Sequence, residues 1–118
     1  MADITTVNGI TETGLTGLTY TSASAEGDKF ENNGRMFVAC KNASEGAVTF
    51  TFATQVTSFV SPTYGNATKS NSTLAVPAGG VGFIGPFDVQ AYNDSDGYLN
   101  ITYSAATSVS VAICSFVY

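Results

Sequence analysis

Residues 47–54 read AVTFTFAT, and in them Val48, Phe50 and Phe52 alternate with Thr49, Thr51 and Ala53. A period of two sends successive side chains to opposite faces, so the run predicts a strand with one apolar face. The same pattern recurs on both sides of it. Upstream, Met36, Val38 and Cys40 share one face and Phe37, Ala39 and Lys41 the other, in a strand expected to begin at Arg35. The connection NASEG, residues 42–46, is short and contains glycine, as a hairpin loop requires. Downstream, Leu99, Ile101 and Tyr103 alternate with Tyr98, Asn100 and Thr102.

Further runs complete the pattern. Residues 18–23 alternate weakly and lead into the turn-rich EGDKFENNG. The run TLAVPAGGVGFIGPFDV, residues 73–89, is broken by Pro77, Gly79, Gly80, Gly82, Gly85 and Pro86, which suits short strands that bend, bulge or lie at a sheet edge. SPTYGNATKSNS, residues 61–72, reads as an exposed loop, and YNDSDG, residues 92–97, as a turn. The closing run SVSVAICSFVY places Val109, Val111 and Ile113 in phase, while Cys114, Phe116 and Tyr118 make the other face apolar. A strand apolar on both faces is either central or part of an interface. No stretch sustains a helical period, so no helix is expected.

About seven or eight short antiparallel strands, with turn signals every 8 to 12 residues or so, predict an all-β, single-domain β-sandwich, jelly-roll-like in character. Residues 1–17 are rich in threonine and glycine and read as an extended N-terminal arm or a loosely attached first strand, with the sandwich over 18–118. Such an arm either lies along a neighbouring subunit or frays as a terminus.

Composition narrows the function. Of 118 residues only 11% are charged, against roughly 25% in ordinary soluble proteins, and threonine, serine and asparagine take their place. A neutral surface gives little electrostatic resistance to association, which points to a working life packed against other molecules. Lys29, Arg35, Lys41 and Lys69 are scattered in a chain of net charge −5, so no phosphate-tracking stripe for nucleic acid forms and no anionic membrane surface is favoured. The N-terminus shows no basic cluster followed by an apolar core, which suggests synthesis in the cytoplasm. Cys40 and Cys114 sit inside strand-like runs and read as buried free thiols, with a cross-strand disulfide as the alternative.

Catalysis and metal binding find little footing. Histidine is absent, which removes the usual base for a serine or cysteine nucleophile and the commonest metal ligand. Glu26, Asp28, Glu31, Asp88, Asp94 and Asp96 leave a glycosidase-style pair arithmetically possible, although most lie in predicted turns. Asn93–Gly97, NDSDG, has closely spaced oxygens but lacks the bidentate glutamate and flanking helices of a calcium loop, and reads as an Asx turn. Asn42, Asn66, Asn71, Asn93 and Asn100 each open an Asn-x-Ser/Thr triplet, attributed to composition. No catalytic, cofactor-binding or metal-binding residue is therefore assigned.

Several motifs occur in a fixed order: a T-Y-T strand within Leu18–Thr21, G-D-x-F-x-N-x-G-R-x-F from Gly27 to Phe37, and K-N-A-S from Lys41. A Val-Thr-Phe-Thr strand follows, then V-P-A-G-G at Val76–Gly80, I-G-P-F at Ile84–Phe87, an aspartate-glycine turn and a Val-rich final strand. In this order the chain resembles a family of small β-sandwich virion structural proteins of tailed bacteriophages, those that decorate or cement the capsid. The resemblance implies a non-enzymatic protein on the outer capsid surface, partnered by the major capsid protein and by copies of itself as a trimer or dimer. Its doubled asparagine, Asn32 and Asn33, is then turn chemistry, with Asn33-Gly34 supplying left-handed backbone. The alternative is a carbohydrate- or host-surface-binding sandwich of a phage tail or fibre, with Tyr64, Tyr92 or Tyr98 as the contacts.

Overall fold

The computed structural model describes residues 2–11, 14–15, 17–55, 58–61, 65–68 and 71–116. Almost all regular structure is β. The strands are β1 (Ala2–Asp3), β2 (Val7–Ile10), β3 (Thr21–Ser22), β4 (Asp28–Glu31), β5 (Met36–Asn42), β6 (Val48–Phe52), β7 (Ser58–Ser61), β8 (Gly65–Thr68), β9 (Ser72–Val76), β10 (Val81–Ile84), β11 (Tyr98–Tyr103) and β12 (Val109–Phe116). A single helical turn, α1 (Val89–Tyr92), sits between β10 and β11.

Two sheets pack as a sandwich. One runs β1-β4-β11-β6-β9, and the other runs β10-β5-β12-β2, with β3 pairing β12 on the same edge as β2. The alternation in the sequence explains the filling. Phe30, Phe50, Phe52, Leu99 and Ile101 from the first sheet face Val38, Cys40, Val111 and Ile113 from the second, each essentially without solvent exposure. Each such aliphatic or phenyl side chain contributes about 1.5–3 kcal/mol of transfer free energy, so the inward faces of β5, β6, β11 and β12 dominate the driving force. At one end Phe52 stacks on Phe87 with ring centroids 4.9 Å apart, and Phe87 meets Tyr92 edge-on at 5.2 Å.

The final strand is apolar on both sides because it is central. β12 lies between β5 and the β2/β3 edge, and its outward residues Ala112 and Cys114 join Ala39 in a second small cluster, against which Leu18, Tyr20 and Phe37 pack. Cys40 belongs to the main core and Cys114 to this outer cluster. The two thiols occupy opposite faces of the sheet, and both are free.

Several details depart from the sequence reading. The sheets are mixed: β1 pairs β4 and β2 pairs β12 in parallel, where all strands were expected antiparallel. Parallel neighbours need a long connection rather than a hairpin, and here β2 and β12 come from opposite ends of the chain. Residues 18–23 yield only the two-residue β3, since Leu18 and Tyr20 lie over the outer cluster and Thr19 bonds the Asn8 side chain through both backbone groups. The segment read as an exposed loop over 61–72 holds the second strand of the β7–β8 hairpin and the start of β9. The strand expected from Arg35 begins at Met36, and Gly34 alone, at φ +85°, takes the left-handed conformation. Helix α1 went unseen because four residues are too few to display a period; Asp88 caps it by accepting from the Gln90 amide.

The N-terminal residues 2–10 run extended along both sheets. Ile4 is buried, and Asn8 donates to the Ile113 and Thr19 carbonyls and accepts from the Thr19 amide at 2.8 Å.

Candidate functional site

Two surface regions stand out. The first is a cleft of about 500 Å³ where the N-terminal residues, the turn after β4 and the turn before β11 converge. It brings together two stretches singled out in the sequence, Asn32-Asn33 and Asn93–Gly97, with Asp3, Glu31 and Tyr98. The Asp3 carboxylate first, then burial, then Glu31 raise the Tyr98 phenol above its ordinary value, and a hydrogen bond donated by the phenol to Asp3 acts in the same direction.

The polar groups in these turns hold the backbone. Asn32 donates to the Phe87 carbonyl and to Asn93 Oδ1, and its own Oδ1 accepts from the Gly34 amide. Asn33 accepts from the Arg35 amide at 2.9 Å. Asn93 donates to the Asn32 and Gly97 carbonyls. Asp94 accepts from the Tyr98 and Asp96 amides, and the Tyr98 contact leads in holding its carboxyl below the usual value. Among the described residues no group of three or more histidines, cysteines or carboxylates is arranged to hold a metal ion.

Of the candidate carboxylates Glu31 and Asp96 share the cleft, while Asp28, Asp88 and Asp94 are engaged elsewhere. Asp28 is fully buried, accepting from the Tyr103 hydroxyl at 2.6 Å and from the Ser24 amide, with Oδ1 unpartnered. Asp88 caps α1, Asp94 closes its own turn, and Glu31 and Asp96 line the cleft. Of the three tyrosines the two that are described are each engaged within the protein. Tyr92 is buried with its hydroxyl 2.6 Å from Ser72 Oγ, and the Lys29 ammonium lies over the Tyr98 ring at 4.6 Å. Tyr64 lies outside the described residues.

The second region is the outer face of the β10-β5 side. Phe83 is 61% exposed and Val81 47%, and the Phe83 ring leans on half-buried Phe37 with centroids 6.2 Å apart. The sequence marks this region by what it lacks: from Ser70 to Phe87 there is no charged residue. On the opposite sheet, Thr102, Thr51 and Thr73 lie in register across β11, β6 and β9, forming an outward row of hydroxyl and methyl groups without charge.

Comparison with protein families, curated proteins and solved structures finds no match for this chain.

Two asparagines give the ordered motifs a common physical basis. Asn42, in K-N-A-S, is fully buried and donates to the Gly46, Val76 and Pro77 carbonyls at 2.7, 3.0 and 3.3 Å, which joins it to V-P-A-G-G. Asn32, in the G-D-x-F-x-N motif, reaches Phe87 of I-G-P-F and Asn93 of the late turn. Side chains fixed in this way hold the turns in place.

Proposed function

We propose that the protein is a non-enzymatic virion structural protein of the tailed-phage type, one that binds the outer surface of the capsid and stabilises the shell. The observation that carries this reading is the apolar pair Phe83 and Val81 standing exposed on an outer sheet face. A folded chain that leaves a phenyl ring this open gains by covering it, at about 25 cal/mol for each Å² removed from water. Repetition over a shell multiplies a small energy per copy, so a neutral module with weak individual contacts suffices to cement it.

The motif order supports the same assignment. The carbohydrate-binding alternative draws support only from the cleft beside Tyr98, whose ring already carries Lys29 on one face. Mixing the purified protein with shells that lack it, and measuring co-sedimentation and resistance to heat, tests the proposal. Saturable binding with a more heat-resistant shell is expected. Absence of binding at any concentration would remove the assignment.

A further inference from the structure

Strand β10 ends its sheet, pairing only with β5. The Asn42 amide donates to the Gly80 carbonyl, and in an antiparallel ladder this phase turns the Gly82 and Ile84 backbone groups toward β5. The N–H and C=O groups of Val81 and Phe83 therefore point off the free edge. Among the described residues none of them has a hydrogen-bond partner.

Natural edges are protected by charge, by proline within the strand or by a bulge. β10 reads Val-Gly-Phe-Ile, pairs residue for residue with β5 without a bulge, and lies inside the charge-free stretch from Ser70 to Phe87. A net charge of −5 opposes the approach of two copies, but β10 itself carries no charge, and Lys41, beside Val81 on β5, is set one strand back from the edge with its ammonium over the Tyr20 ring.

We infer that the β10 edge is a self-pairing surface, on which β10 of a second copy adds antiparallel about a two-fold axis through Gly82. This register satisfies itself. Val81 of each copy faces Phe83 of the other, and each such pair exchanges two backbone hydrogen bonds, while the Gly82 residues meet on the axis with no side chain between them. The outward Val81 and Phe83 side chains then pack as cross-strand neighbours, and two sandwiches share one continuous sheet.

The inference rests on the assembly reading and names one of its partners. Sedimentation velocity over a wide concentration range, with circular dichroism to verify folding, tests it. The natural sequence is expected to pass from monomer to dimer as concentration rises. Phe83→Lys, at an exposed position that leaves the core intact, should weaken this by about tenfold or more, whereas Thr51→Lys on the opposite sheet should not. A Val81→Cys/Phe83→Cys double variant should form a covalent dimer on mild oxidation, because facing residues of a hydrogen-bonded pair lie within disulfide reach.

A monomer at every concentration, without the covalent dimer, would overturn the pairing; if it still bound shells, the assembly reading would stand. A dimer unchanged by Phe83→Lys would also overturn it. A monomer whose shell binding is lost with Phe83→Lys would assign the edge to a strand of the shell protein instead. A dimer sensitive to Phe83→Lys that ignored shells would leave the pairing in place and remove the assembly reading.

Discussion

Asn42 has no solvent exposure, and its amide is the junction of two loops more than thirty residues apart in the chain. Asn42→Ala would leave the Gly46 and Val76 carbonyls and the Ser44 amide without these bonds, at about 1–3 kcal/mol for each group left unpaired. Urea denaturation should show a midpoint loss large enough to threaten folding. Gly85 carries a different constraint. A Cβ there would sit 2.8 Å from Phe37 Cα and 2.9 Å from the Met36 carbonyl oxygen, at φ +137°, so Gly85→Ala should cost about 2–4 kcal/mol in the same assay. Burial pushes the Cys40 thiol up to about 12, and burial followed by the Asp28 hydrogen bond raises the Tyr103 phenol. Both groups are neutral in the fold above the pH at which they ionise in the unfolded chain. Stability should hold up to about pH 9 and then fall toward pH 12, by up to about 1.4 kcal/mol per pH unit for each group, as unfolding measured across alkaline pH would reveal. The alternation at Val48, Phe50 and Phe52 made these core residues legible in advance, whereas Asn42 and Asn32 looked like ordinary turn formers. Which distant carbonyl an asparagine reaches depends on tertiary placement, and local pattern carries no record of it.

Among the elements, β5, β6, β11 and β12 were readable because each alternates over at least four residues. β1 and β2 were not, and β3 showed only as a weak alternation over residues 18–23. They are short and held by partners distant in sequence, β2 by β12 at the far end of the chain. The extended start of the chain covers the β12 edge and sends Ile4 into the core. Removing residues 1–10 should therefore lower stability by about 2–4 kcal/mol even with no other molecule present, as thermal unfolding of the isolated chain would register. An unchanged midpoint would instead make this segment dispensable to the fold. The cleft was half legible. Both of its turns stood out as asparagine- and aspartate-rich, but their meeting follows from the antiparallel pairing of β4 with β11, and Asp3 joins them through the parallel pairing of β1 with β4, which no local signal announced.

At the scale of the whole molecule, two sheets enclose one core, and strands β6, β9 and β10 carry no charged residue. Low charge and abundant threonine made this surface visible in the composition; the location of its most open part, at Val81 and Phe83, required the fold. On the proposed function such surfaces make the contacts, and the energetics are those of many weak contacts summed over a lattice. The most direct measurement is imaging, at side-chain resolution, of capsids saturated with the protein. The account predicts two-sheet density repeated on the outer surface of the shell, with uncharged sheet faces in contact with neighbouring subunits. Shells that stay bare at saturating concentration, or density confined to the tail, would contradict it.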